Sequence, residues 1–303
     1  MTSDPARFDP RAIDESLVRR LLSAQFPAWA GLPVRAADPQ GNDNRTFRLG
    51  EDLLVRLPSH RRYVAQVEKE QTWLPRLAPH LPLAIPTPVA AGAPGEGYPW
   101  PWSVYRWLAG ETAGAARIAD SRRLAVELAN FLRALQAIDT TGGPLAGPHS
   151  HGRGGPLTLY DAQASEAIAA LGVGIDSAGA SAVWKAALAV EHEGAPVWVH
   201  GDLAADNLLV DASGRLSAVL DFGCSAVGDP ACDLVIAWTF FTGQTRDAFR
   251  AALGLDAGTW ARGRGWALWK ALITLAADGA GAVDHPGGAA VIASVLAEHR
   301  ELR

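Results

Sequence analysis

The chain has 303 residues, 49% of them hydrophobic and 19% charged, with a formal net charge of −5 from 27 basic and 32 acidic side chains. That composition permits a sizeable core and excludes wholesale disorder, and the acidic balance argues against a nucleic-acid partner held by a basic surface. The start, Met1–Arg7, has no apolar run behind a basic cluster, the uncharged stretch 77–95 holds five prolines, and Cys224 and Cys232 form no zinc pattern or disulfide framework. A soluble cytoplasmic protein, with no membrane segment and no secretory signal, is the expectation.

Ile13, Leu17, Val18, Leu21 and Leu22 recur at helical spacing, predicting an amphipathic helix over 13–25. Short strands follow at 32–36, 46–49 and 53–57, the last two joined by Gly50-Glu51-Asp52. Residues 63–77 read as a helix whose end Pro75 disturbs, and 87–91 and 102–107 read as strands. After Gly110 the pattern changes to a strong helix at 121–138, a Gly/Pro/His-rich loop at 139–156, and helices near 161–171 and 179–191. Short strands at 197–199, 208–210 and 217–221 surround the turn Asp211–Gly214. Helices then fill 230–242, 245–253, 258–277 and 288–299. The pattern is α+β, a sheet-rich lobe followed by a helical one, with a boundary near 108–112. Charge divides there too: residues 1–110 carry 13 basic and 11 acidic side chains, a balance of +2, and 111–303 carry 14 and 21, a balance of −7.

One stretch carries chemistry: Val199-His200-Gly201-Asp202-Leu203-Ala204-Ala205-Asp206-Asn207-Leu208, followed by Leu220-Asp221-Phe222-Gly223. An Asp-x-x-x-x-Asn loop ahead of an Asp-Phe-Gly is the arrangement of phosphoryl-transfer enzymes, here with Gly201 where protein kinases have Arg. The residue types suit the reaction. Asp202, on a loop between strands, can orient and deprotonate an attacking hydroxyl. The Asn207 amide oxygen and the Asp221 carboxylate are hard ligands of the kind Mg²⁺ takes while bridging nucleotide phosphates.

Together with Gly228-Asp229-Pro230-Ala231-Cys232-Asp233-Leu234, these motifs resemble the aminoglycoside phosphotransferase family, an antibiotic-kinase-like branch of the protein-kinase fold. The resemblance covers most of the chain and is most specific over 198–235. It implies a bilobal α+β fold: a small antiparallel-sheet, nucleotide-binding lobe at 1–108 and a larger, mostly helical, catalytic and acceptor-binding lobe at 109–303. It also implies that His200 and Asp233 support the catalytic loop. Asp229 can in addition cap a helix that opens on Pro230.

The resemblance fits the first lobe less closely. Where the fold usually places a phosphate-gripping Lys, the strand offers Arg56, and Glu70 on the next helix is its expected partner. The segment Asp38–Asn44, with one Gly, stands where a phosphate-covering turn belongs. The backbone of Arg106 and Leu108 is the expected seat of the adenine or guanine, while Trp100 and Trp102 read as core. No Lys follows a Gly, so there is no Walker A loop; no Gly-x-Ser-x-Gly exists; and His192-Glu193 lacks a second zinc-binding His. Gly152-Arg153-Gly154-Gly155 reads as a flexible loop, and His149 and His151 as solvated.

The expectation is therefore a Mg²⁺-dependent enzyme moving the γ-phosphoryl group of ATP or GTP to a small-molecule hydroxyl. An aminoglycoside-type antibiotic leads, because a cationic acceptor suits the −7 balance. Trp238, Phe240, Phe241, Trp260, Trp266 and Trp269 are core at helical spacing, or else the wall of an apolar pocket. The other readings are a kinase of a macrolide, an amino alcohol or a sugar, and a nucleotide-binding pseudokinase, as monomer or homodimer.

Overall fold

The computed structural model describes residues 8–38, 40–41, 43–278 and 287–302. The amino-terminal stretch Met1–Arg7 and, in the turn expected to cover phosphates, Pro39 and Asn42 lie outside the described residues. The chain divides into two compact units. One comprises the residues through Ala109 together with 218–223, and the other comprises 110–217 and 224 onward.

In the first unit Asp14 caps α1 (Glu15–Gln25), its side chain accepting from Leu17 N at 2.8 Å. Strands β1 (Val34–Ala36), β2 (Asn44–Leu49) and β3 (Leu53–Pro58) lead to α2 (Val64–Leu77), and β4 (Pro88–Gly92) and β5 (Trp102–Arg106) follow. The five strands form one antiparallel sheet in the order β1-β2-β3-β5-β4. Gly50, at φ 60°, makes the tight turn between β2 and β3. The apolar stripe of α1 (Leu17, Val18, Leu21, Leu22) packs with Phe47, Leu49, Val55, Leu57, Trp100 and Trp102 in one core, so both tryptophans are core residues. Pro75 does not end α2. One missing backbone bond and ring crowding cost about 3 kcal/mol in a helix interior, whereas burying Leu74 and Leu77, each 1% exposed, returns about 3–6 kcal/mol.

The second unit opens with β6 (Glu111–Thr112), a strand too short to show a period, paired antiparallel with Leu209 and Val210. The remaining elements are α3 (Ser121–Gln136), α4 (Asp161–Leu171), α5 (Ser177–Leu188), β7 (Val197–Val199), β8 (Leu208–Val210), β9 (Leu216–Val219), β10 (Ala226–Gly228), α6 (Ile236–Thr239), α7 (Gly243–Leu253), α8 (Ala257–Asp278) and α9 (Gly288–Glu301). The unforeseen β10 pairs antiparallel with β7. Helix α8 packs on α4, α5 and α9, and α3 on α7. Among the described residues no helix is long and apolar enough to cross a membrane.

The expected helix at 230–242 is two pieces. Pro230–Val235 winds as a 3-10 turn and only Ile236–Thr239 is α-helical. The reason is tertiary. Asp233 is drawn back to the amides of His200 and Gly201, and the Arg246 guanidinium takes the carbonyls of Ala237 and Phe241, which ends α6 early.

Candidate active site

The second unit carries Asp202 on the loop between β7 and β8. Gly201 stands at φ 85°, and a Cβ there would lie 2.4 Å from the Cys224 carbonyl oxygen, so only glycine lets the loop turn at this point. Asp233, fully buried, braces the loop from behind: Oδ2 accepts from His200 N at 2.8 Å and Oδ1 from Gly201 N at 2.7 Å. Burial raises the Asp233 pKa, and the two amides and the nearby His200 oppose that rise without cancelling it. The buried His200 ring accepts Asp202 N at Nδ1 (3.2 Å), fixing the backbone that carries the carboxylate.

The Asp202 carboxylate, about a third exposed, receives the Lys270 ammonium from α8 at 3.0 Å. Burial alone would raise its pKa; the Lys270 charge and hydrogen bond, with smaller help from the His200 and Arg153 charges, more than offset this and hold it below the ordinary carboxylate value. Asn207 turns its amide nitrogen to the Asp202 carbonyl at 2.8 Å, and its Oδ1 accepts from no protein group among the described residues. That donor set, an open amide oxygen on a fixed side chain, fits a hard cation such as Mg²⁺.

The first unit carries the other expected residues. Arg56 on β3 lies 3.3 Å from Glu70 on α2 and 3.5 Å from Asp221. Burial works against its charge, and the two carboxylates outweigh burial and raise its pKa. Glu70 also accepts the Tyr105 hydroxyl. Asp221 stands at φ 61°, a conformation that costs a non-glycine residue roughly 1–3 kcal/mol. It is held there by neighbours: Gly223 N reaches Oδ1 at 3.4 Å, Lys69 Nζ donates to the Gly223 carbonyl at 2.7 Å, and Val219 N donates to Ala84 O. These ties are why 218–223 group with the first unit, although the second-unit segment Gly110–Ser217 separates them from Ala109 along the chain. Arg106 closes β5 with its amide committed to Thr87 O, and the Leu108 amide donates to no protein group among the described residues. In the turn before β2, the Gln40 side chain holds Ala37 O and both backbone groups of Thr46.

Residues 35–266 match the family described as the phosphotransferase enzyme family. The chain belongs to that family. No curated protein matches the sequence. Among solved structures, the GDP complex of wild-type aminoglycoside 2'-phosphotransferase-IIIa is similar with a TM-score of 0.72, 20% identity, and coverage of 94% of this chain and 99% of that one. The GDP and kanamycin complex of APH(2")-IIia gives 0.68, 21%, 94% and 96%. The macrolide 2'-phosphotransferase MphH from Brachybacterium faecium gives 0.60, 21%, 94% and 95%. These likenesses show a bilobal, kinase-like α+β fold, with a small antiparallel-sheet lobe and a larger, mostly helical one.

Three cations of this phosphotransferase-family chain escaped the sequence reading. Lys270, one of only three lysines, interrupts the otherwise apolar run Trp266–Ile273, and that interruption was its only signal. Arg153 sits in the glycine-rich segment read as a flexible loop; its guanidinium lies 4.4 Å from the Trp269 ring centre. Arg262 on α8 makes a forked pair with Asp229 at 2.7 and 3.0 Å, so Asp229 is both the cap of the turn at Pro230 and half of a buried ion pair. Trp238, Phe241, Trp260, Trp266 and Trp269 are all buried, and Phe240 is half-buried. His149 is tied to Leu145 O.

Proposed function

We propose that the protein transfers the γ-phosphoryl group of ATP or GTP to a hydroxyl group of a small molecule. The observation that carries this is Asp202: a carboxylate kept ionised by Lys270, on a loop whose amides are pinned by Asp233 and whose exit is tied by Asn207. Such a carboxylate can accept a hydrogen bond from the acceptor hydroxyl and take its proton as the oxygen–phosphorus bond forms and the bond to the β-phosphate oxygen breaks. Asn207 and Asp221 would hold Mg²⁺, which when bound neutralises charge on the transferring phosphoryl group. Arg56, kept charged by Glu70 and Asp221, is suited to the phosphates, and the backbone of Arg106 and Leu108 to the base. His200 and Asp233 act as positioning residues. The domain roles follow: nucleotide at the first unit, acceptor and base at the second.

Neighbours of the same fold include proteins named for aminoglycosides and for macrolides. The acceptor class is therefore a matter for assay across aminoglycosides, macrolides, amino alcohols and sugars. Asp202→Asn and Asp202→Ala should leave Mg-nucleotide binding intact and remove most turnover, whereas Asp221→Ala should weaken nucleotide binding as well. A near-normal rate in Asp202→Ala would eliminate the assignment. Mg-nucleotide binding without turnover in the wild type would favour a nucleotide-binding pseudokinase.

A further inference from the structure

A small pocket within the second unit opens onto Asp202, lined by Arg153, Gly201, Leu203, Trp266, Trp269 and Lys270 among others. Its charged lining is two cations against one carboxylate. Arg153 is held in place at both ends. Its backbone amide donates to Ser150 O at 2.9 Å and its carbonyl accepts the Ser150 hydroxyl at 3.1 Å. Its guanidinium rests over Trp269, which is itself pinned by a 2.7 Å bond to Gln163, and 5.3 Å from the centre of Trp266. Apart from a 3.5 Å contact to the Tyr160 hydroxyl it has no hydrogen-bonding side-chain partner among the described residues, and no carboxylate pairs with it. Asp202 is engaged by Lys270, and Asp233, behind the loop, spends both oxygens on backbone amides. Asp202 is the one carboxylate of the lining and feels both cations, Lys270 in direct contact and Arg153 through space, so Arg153 has no ion-pair partner of its own among the described residues.

The −7 balance of the region from residue 111 onward pulls the other way, toward a cationic acceptor. Charges scattered over a surface are screened beyond about 8 Å at physiological ionic strength, whereas a half-buried guanidinium in contact with the acceptor acts at short range and lower dielectric. The local cations decide.

Resting on the reading of Asp202 as the base, we infer that the acceptor subsite beside it selects hydroxyl compounds bearing an anionic group, a carboxylate or a phosphate, near the reacting hydroxyl. Arg153 and Lys270 are its specificity-determining residues, and the subsite turns polycations away. Arg153 offers the forked donor geometry that oxyanions match, on an aromatic floor that holds the fork in plane.

The test is equilibrium binding to the full chain, read by dialysis and by tryptophan fluorescence, with four hexoses: glucose, glucosamine, glucuronate and glucose 6-phosphate. At least one of the two anions should bind about tenfold tighter than glucosamine, as expected for a charge-assisted contact, and the two anionic arms tell carboxylate from phosphate. Arg153→Met and Lys270→Met, which keep the apolar stems, should bring that ratio close to unity, while Arg153→Lys, which keeps the charge, should retain a preference for the anion. Glucosamine binding as tightly as the anions, a flat response or no binding across all four, or an unchanged ratio in both Met variants overturns the inference. Hydrolysis of nucleotide with water as acceptor tests the underlying reading separately. Its loss in Asp202→Asn upholds the base whatever the hexoses do, and its persistence removes the base even if the charge preference is found.

Discussion

The Arg56 guanidinium stands 3.3 Å from the Glu70 carboxylate, with side chains only 15% and 5% exposed. Breaking a buried pair by removing one partner costs about 3–5 kcal/mol, because the other charge is left without compensation. Arg56→Met should lower unfolding stability by about that amount and weaken nucleotide binding. Arg56→Lys should recover part of the stability, since one ammonium cannot fork to both Glu70 and Asp221. A loss below about 1 kcal/mol in urea unfolding, the range of surface pairs, would show that the pair is solvated in solution.

Lys270→Met should move the Asp202 carboxyl upward, because burial is then opposed only by the smaller effects of the His200 and Arg153 charges. The acid limb of turnover, below the ordinary carboxylate value of 3.8 in the wild type, should shift to higher pH in the variant. The sign for stability follows. A carboxyl held below its unfolded pKa adds stability above that value and loses it as pH falls through the folded value. The variant should therefore be less stable at neutral pH and lose less on acidification through that window. Superimposable acid limbs would contradict the pairing.

Gly201→Ala should cost roughly 1–3 kcal/mol from the left-handed backbone alone, with more from the 2.4 Å approach to the Cys224 carbonyl. Turnover should fall further than stability does, since the strain lies one residue from Asp202. Thermal unfolding and initial rates on the same preparation would separate the two, and an unchanged rate would show that the loop tolerates the displacement.

Arg262→Met should destabilise by about 3–5 kcal/mol, because it strips the forked partner from an Asp229 only 8% exposed. Replacing both partners by apolar residues should cost less than the single change. A double-mutant cycle in denaturant checks this, and additive effects would deny the coupling.

Local pattern carried much of the architecture. The 3.6-residue stripes of α1 and α3 mark elements whose own residues form the buried face, so their periods survive in the sequence, whereas β5 is buried from Trp102 through Tyr105 and shows no alternation. β6 and β10 are too short to show a period, and 230–242 lost its helix because Asp233 and Arg246 bond elsewhere. The run through Pro75 held because Leu74 and Leu77 are buried.

By itself the sequence determined the order of chemical groups, Asp202 then Asn207 then Asp-Phe-Gly, because a loop motif of fixed spacing is a local property of the chain. It also determined family membership and which lobe is sheet and which is helix. Only the tertiary structure decided what surrounds those groups. Lys270 reaches Asp202 across 68 positions, Lys69 reaches the Gly223 carbonyl across 154, and Arg153 lies over Trp269. Charge pairing depends on distance in space, which composition and spacing do not encode, so a net balance of −7 gave no sign of the cations gathered around Asp202.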